Sequence, residues 1–119
     1  MKAMNTEKAQ IFPLKNAREK FAASPRPTEI IPGVTKLSEL VFSKGDLQLR
    51  YYEPGKIDHQ VPHDQEELYI VISGTAELDY GGRKVCCNPG DSIFVSKGET
   101  HKFVNISDDF SVWVIYFNA

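Results

Sequence analysis

Short apolar segments separated by glycine- and proline-containing turns fill most of this chain and constrain its fold more than any other feature. Residues 47–52 alternate between apolar and polar side chains and stop at Glu53-Pro54-Gly55, a turn sequence. Residues 75–80 and 83–87 flank Gly81-Gly82, a pair typical of a two-residue hairpin loop. Strands this short, at such even spacing, predict an all-β sandwich or barrel.

Further strands are predicted where apolar residues run between turn signals, over Val34–Phe42, Glu67–Ser73, Ser92–Val95, His101–Asn105 and Phe110–Phe117. The polar residues before them form a separate arm. We therefore divide the chain into an N-terminal arm, residues 1–27, and a β-barrel, residues 28–119. A length of 119 residues suits one domain, which buries enough surface to fold without disulfides or a structural metal.

The arm is predicted to contain two short elements. Ile11–Leu14 fits an edge strand, because Pro13 cannot donate a hydrogen bond within a central ladder. Asn16–Ala23 fits a helix of about two turns, with Asn16 as its cap and Pro25 and Pro27 beyond its end.

Composition and charge exclude several classes of function. A net charge of −2 gives no basic surface for nucleic acid, and no apolar run is long enough to span a bilayer. The first residues lack an apolar signal core, so a cytoplasmic protein is expected. Cys86 and Cys87 are adjacent on a predicted strand and point to opposite faces, which predicts two free thiols, one inward and one outward.

Two of the three histidines suggest chemistry, together with one carboxylate. His63 and Glu67 precede a buried-type strand, and His101 follows a glycine-containing turn. Two imidazoles and a carboxylate form a ligand set for a divalent metal that leaves positions open for substrate or oxygen. Each residue also has an ordinary interpretation. His101 alone fits a structural role, and Glu67 fits a solvated carboxylate or one paired with Arg50 or Lys102.

These residues fall into two spaced motifs. The first reads Gly, five residues, His-x-His, three or four residues, Glu, six residues, Gly; the second reads Gly, five residues, Pro-x-Gly, two residues, His, three residues, Asn. The matching positions are Gly55, His63, Glu67 and Gly74, then Gly90, Gly98, His101 and Asn105. On these residues the chain resembles the cupin superfamily, as a small single-domain member. The resemblance implies a double-stranded β-helix, or jelly-roll barrel, here with a short N-terminal helix. It also implies a homodimer that pairs through edge strands, for which residues 11–14 are a candidate.

Val61 stands where the family usually has its first metal histidine, and Ser96 stands where it has proline. Three interpretations of Val61 remain open. His63, Glu67 and His101 hold a metal whose other positions take water or substrate; His59 or Gln60 supplies an extra ligand; or metal binding is weak or absent and the pocket only binds. His59 lies about 6.6 Å further along a regular strand, so it reaches the site only if the segment bulges near Pro62.

The resemblance places the site inside the barrel, where inward-facing residues form a substrate pocket. Arg50 and Tyr52 share one face of their strand, and Arg50 is either a clamp for a substrate carboxylate or a surface residue. Tyr69 either donates to a bound oxygen or packs in the core. Asn105 is expected to support the ligands from behind.

The sequence therefore predicts a metal-binding protein for a small-molecule ligand. One hypothesis is a metal-dependent enzyme of oxygenase, isomerase or decarboxylase type acting on a small, anionic organic metabolite. The other is a non-catalytic module that binds a small molecule or sugar with weak or no metal. Iron, manganese, nickel, zinc and copper all suit the ligand set.

Overall fold

The computed structural model describes residues 8–24 and 37–119, and these residues contain one helix and eight strands. The helix is α1 (Leu14–Ala23). The strands are β1 (Glu39–Lys44), β2 (Leu47–Tyr52), β3 (Glu66–Ser73), β4 (Ala76–Tyr80), β5 (Arg83–Cys87), β6 (Ser92–Val95), β7 (His101–Val104) and β8 (Ser111–Phe117). No helix among the described residues has the length and apolar character that a bilayer span requires.

The strands form two antiparallel sheets packed face to face. The larger sheet has the order β1-β2-β8-β3-β6, and the smaller has the order β5-β4-β7. Their inner faces supply the core, because alternate residues of each strand point inward. Tyr69, Val114, Leu78 and Phe103 are each at most 2 % exposed. The arrangement is a jelly-roll barrel, and the predicted all-β fold with a short N-terminal helix is confirmed.

The outer face of the larger sheet is covered by α1. Phe21 packs edge-on against Tyr51, with ring centroids 5.6 Å apart. Arg18 donates from Nε to the Tyr51 hydroxyl at 3.0 Å, and from Nη2 to Ser73 Oγ at 3.1 Å and Ser111 Oγ at 3.2 Å. Lys20 adds a hydrogen bond to the Leu40 carbonyl at 3.1 Å and an ion pair with Glu39 at 3.6 Å. Two cations and one aromatic contact thus attach the helix, and the inner face of the sheet is left to form the barrel interior.

Two predictions for the arm are wrong. The helix begins at Leu14, because the Pro13 carbonyl accepts hydrogen bonds from the amides of Asn16 and Ala17; Asn16 is therefore inside the helix and does not cap it. Residues 11–13 form no strand in this chain, since Pro13 instead starts the helix. Pairing of this segment in a homodimer stays a prediction. The predicted stop signals Pro25 and Pro27 lie outside the described residues.

The strand predicted over Val34–Phe42 is shifted. Its first three residues lie outside the described part of the chain, and β1 runs from Glu39 to Lys44. The strand continues past Phe42 because the turn falls at Gly45 and Asp46, which join β1 to its antiparallel partner β2.

The glycine hairpin and the cysteines agree with the predictions. Tyr80 pairs with Arg83, and Gly81 and Gly82 have φ of +53° and +78°, as a two-residue loop with both residues left-handed requires. Cys86 is exposed and Cys87 is buried, and both are free thiols.

Candidate metal centre

Glu67 is the centre of the buried polar cluster. It lies near the start of β3, where it pairs with Tyr116 of β8 on one side and with Val95 of β6 on the other. Strands on both sides close it off from solvent, and its exposure is 0 %. A carboxylate in such a place is costly unless hydrogen bonds or a positive charge compensate it.

Two histidines, one from each sequence motif, turn their Nε2 atoms toward this carboxylate. Nε2 of His63 lies 3.7 Å from Oε2 of Glu67, and Nε2 of His101 lies 3.3 Å from Oε1. His63 precedes β3 and His101 starts β7 on the other sheet, so the contact crosses the barrel. The Gly98 amide donates to the His63 carbonyl at 2.7 Å, which ties the two motifs together at the backbone. The structure thus brings together the three residues predicted as metal ligands.

The ring of His101 is oriented by the backbone. Its Nδ1 lies 2.8 Å from the Glu99 carbonyl oxygen, which can only accept, so Nδ1 carries the hydrogen. In the neutral ring, Nε2 then presents a lone pair to Glu67. A backbone carbonyl that fixes the tautomer in this way is a common support for a metal-binding histidine.

Two buried phenols complete the cluster. The Tyr69 hydroxyl lies 2.9 Å from Gln60 Oε1, 3.0 Å from Glu67 Oε2 and 3.0 Å from His101 Nε2. The Tyr116 hydroxyl lies 3.4 Å from His63 Nε2. Burial, and then the charge of Glu67, raises the pKa of Tyr69 well above its ordinary value of 10.0 and raises that of Tyr116 as well. Both phenols therefore keep their protons at neutral pH.

Asp58 organises the segment in front of the cluster and was missed in the sequence. Only 3 % exposed, it accepts four hydrogen bonds. Oδ1 takes the Tyr52 hydroxyl at 2.8 Å and the Gln60 amide at 3.1 Å; Oδ2 takes Gln60 Nε2 at 2.8 Å and the Phe103 amide at 2.9 Å. An aspartate that bonds to the backbone two residues later is a recognised turn signal, and it was the available clue.

The structure separates the two residues predicted as extra ligands. Val61 is 41 % exposed, whereas its neighbour Gln60 is 7 % exposed and reaches the cluster through Tyr69. His59 is partly buried and has no hydrogen bond or ion pair within residues 8–24 and 37–119. Gln60 thus lies next to the cluster, and ligation by either residue stays a prediction.

The predicted pocket and support residues make other contacts. Arg50 pairs with Val114 and so lies on the inner face, where Nε and Nη2 donate to Oγ and the carbonyl of Ser38 at 2.7 and 2.9 Å. Tyr52 donates to Asp58. Asn105 is exposed, has φ of +51°, and donates its side-chain amide to Glu77. The substrate and supporting roles proposed for Arg50, Tyr52 and Asn105 stay predictions.

The donor set fits a divalent metal in chemistry and nearly in spacing. With metal–ligand bonds of about 2.1 Å, neighbouring donors lie about 3.0 Å apart in an octahedron and about 3.4 Å apart in a tetrahedron. The His101–Glu67 separation of 3.3 Å lies between those two values, and the His63–Glu67 separation of 3.7 Å lies just above both. As the side chains stand, no group of three or more His, Cys, Asp or Glu in the described ranges has the arrangement of a metal site. The shortest contacts in the cluster instead involve the Tyr69 hydroxyl.

One cavity opens beside the cluster. It has a volume of about 370 Å³ and lies between β6 and the β4–β5 hairpin, lined by residues that include Leu78, Val85 and Cys87. Ile93 and Val95 line it too, and their strand partners are Tyr69 and Glu67. A shallower groove of about 320 Å³ touches His101 from the smaller sheet. Small molecules can therefore approach within one side chain of the cluster.

A jelly-roll barrel that holds two imidazoles against one buried carboxylate defines the class as a cupin-type barrel. The Cupin domain family profile matches residues 48–117, a range that includes the whole cluster, and the chain belongs to this family. The resemblance inferred from the two motifs is confirmed.

Known relatives fix the fold and leave the activity open. An uncharacterized protein of Streptomyces coelicolor is 38 % identical over 64 residues, which are 54 % of this chain and 61 % of that relative, so the match spans about three fifths of its length. A Rhizobium leguminosarum protein of unknown function has a TM-score of 0.72 at 19 % identity and covers 95 % of this chain and 100 % of its own. A cupin-2 domain containing protein of Shewanella frigidimarina has a TM-score of 0.61 at 17 % identity, covering 82 % and 88 %.

Proposed function

We propose that His63, Glu67 and His101 hold a divalent transition metal, and that the chain is a metal-dependent enzyme for a small, anionic organic metabolite. One observation carries this proposal: two imidazole Nε2 atoms are directed at the two oxygens of one carboxylate whose exposure is 0 %. A cation among these donors offsets the cost of burying the carboxylate. Iron, manganese, nickel, zinc and copper remain the candidates.

The chemistry divides between the metal and the chain. A bound metal would act as a Lewis acid or activate oxygen, which suits oxygenase, isomerase or decarboxylase reactions. The Glu99 carbonyl keeps His101 in the ligating tautomer. Tyr69 stays protonated at neutral pH because burial raises its pKa, so it enters the cluster as a neutral phenol. Burial and the charge of Glu67 raise the pKa of Tyr116, and the positive charge of Arg50 partly offsets that rise. A positive charge this near the cluster supports an anionic ligand.

A non-catalytic small-molecule or sugar-binding cupin is the second candidate. Val61 stands where the family usually has its first metal histidine, so one usual ligand is missing. The hydroxyls of Tyr69 and Tyr116 already contact the two imidazoles, which allows the cluster to persist without metal. A pocket of this kind would bind its ligand and release it unchanged.

Metal analysis of the purified protein tests the proposal. The chain is stripped with a chelator, loaded separately with iron, manganese, nickel, zinc or copper, desalted, and its metal content measured by mass spectrometry. We expect stoichiometric metal in the parent and in His59→Ala, and loss of metal in His101→Ala. Substoichiometric metal in the parent under every loading condition contradicts the proposal. Loss of metal in His59→Ala adds His59 to the ligands.

A further inference from the structure

We infer that the hydroxyl oxygen of Tyr69 is a fourth protein donor to the metal, placed there by Gln60 and compensating for Val61. The inference rests on the proposed function, in which His63, Glu67 and His101 bind the metal. Val61 leaves the site one histidine short, and the phenol oxygen takes the place of that ligand.

The orientation of the Gln60 amide is fixed from behind. Its Nε2 donates to Oδ2 of Asp58 at 2.8 Å, and its backbone amide donates to Oδ1 at 3.1 Å. The opposite orientation would place Oε1 of Gln60 against a carboxylate oxygen, where both atoms can only accept. Oε1 therefore faces the Tyr69 hydroxyl, 2.9 Å away, as an acceptor.

A count of protons then shows what the phenol presents to the cluster. Tyr69 has one hydroxyl proton and three acceptors around it: Gln60 Oε1, Glu67 Oε2 and His101 Nε2. In the neutral ring that metal binding requires, His101 Nε2 is an acceptor, because the Glu99 carbonyl fixes the hydrogen on Nδ1. When Gln60 takes the proton, the phenol oxygen turns its lone pairs toward Glu67 and His101.

Three lone-pair atoms at such separations favour a cation between them. The phenol oxygen lies 3.0 Å from Glu67 Oε2 and 3.0 Å from His101 Nε2, which is the edge of an octahedron with bonds of about 2.1 Å. The one hydroxyl proton, taken by Gln60, satisfies neither of these two contacts, whereas a metal ion satisfies both. By spacing, the phenol is better placed than His63, whose Nε2 is 3.7 Å from Glu67.

The site thus acquires its fourth donor from within the barrel. Val61 is exposed, so its side chain supplies nothing, and the preceding residue Gln60 is buried in its place. Gln60 does not itself need to reach the metal, because it directs the oxygen of Tyr69 toward it. The resulting set is two nitrogens, one carboxylate and one neutral phenol oxygen.

Cobalt(II) binding to Tyr69→Phe, with Tyr80→Phe as control, tests the inference. Tyr80 is a partly buried tyrosine of the smaller sheet, and its replacement likewise removes one hydroxyl. Calorimetry gives the affinity, and the visible ligand-field spectrum of cobalt reports its coordination without any assay of turnover. We expect Tyr69→Phe to weaken binding about tenfold or more and to change the spectrum, with Tyr80→Phe like the parent.

The outcomes separate the two proposals. Equal affinity and an unchanged spectrum in Tyr69→Phe overturn the donor role of Tyr69 and leave the three-ligand site standing. A parent that binds no cobalt overturns the metal site and this inference together. If circular dichroism shows that Tyr69→Phe does not fold, cobalt binding is measured on Gln60→Met instead. It removes the acceptor that orients the phenol, and an unchanged spectrum and affinity there contradict the inference.

Discussion

At the scale of single residues, side chains from both sheets and from the loop before β3 meet in one buried cluster. Motif spacing identified His63, Glu67 and His101, and the structure brings them together. The inward orientation of Gln60 could not be predicted, because residues 53–65 form no strand and the alternation of faces along a strand does not apply there. The orientation depends instead on a long-range hydrogen bond, which the Phe103 amide donates to Asp58.

Replacing Asp58 by Asn should destabilise the fold by about 2–4 kcal/mol. The asparagine side chain keeps one acceptor oxygen, but its NH₂ group would face the Gln60 side chain and the Phe103 amide. Both of these groups donate hydrogen bonds to the carboxylate of Asp58. Urea unfolding measures the change, with the exposed Asp64→Asn as control. Equal unfolding free energies for the two variants would show that Asp58 does not organise this segment.

At the scale of elements, glycine-containing turns made the barrel strands predictable and tertiary contacts made the arm unpredictable. β5 and β6 have the predicted bounds, since Gly81-Gly82 and the turn after Cys87 determine where they begin and end. Helix α1 is short and gains its stability from contacts with the sheet, such as those of Arg18. Local sequence therefore placed its start two residues too late.

The turn after β3 offers a sharp test of element packing. Gly74 has φ of +71°, and a Cβ there would lie 2.6 Å from the backbone of Phe110 and from Ser107 Oγ. Gly81 has φ of +53° and open space around it. Gly74→Ala should cost about 2–5 kcal/mol, and Gly81→Ala about 1 kcal/mol, because only the first adds a backbone clash to the left-handed strain.

Thermal or urea unfolding of the two alanine variants measures this difference directly. Similar losses for Gly74→Ala and Gly81→Ala would contradict the close packing of the β3–β4 turn on the segment before β8.

At the scale of the whole molecule, the barrel encloses polar groups that titrate differently in the folded and unfolded chain. Even strand spacing was enough to predict two packed sheets. The degree of closure was not predictable, because it depends on which long-range pairs form. Three tyrosines are at most 4 % exposed: Tyr52, Tyr69 and Tyr116. Burial is the largest cause that raises the pKa of each. The negative charge of Asp58 raises the pKa of Tyr52 further, and the charge of Glu67 does the same for Tyr69 and Tyr116.

Stability should therefore be fully present below about pH 10 and fall above it. The unfolded chain releases tyrosine protons near pH 10 while the folded barrel retains them, so each tyrosine lowers the unfolding free energy by about 1.4 kcal/mol per pH unit, and the three together by about 4. Urea unfolding between pH 8 and 11, with tyrosinate absorbance recorded alongside, measures this. Tyr69→Phe should reduce the slope by about a third. Reversible ionisation of the buried tyrosines in the folded chain near pH 10 would contradict the closed barrel.

The metal site is tested most directly by anomalous diffraction from crystals of the metal-loaded protein, collected above and below the absorption edge of the metal. We expect one strong anomalous peak inside the barrel, bordered by the Nε2 atoms of His63 and His101 and by the carboxylate of Glu67. A fully loaded crystal that shows no peak at these three side chains, or a peak only on the surface, would contradict the proposed metal site.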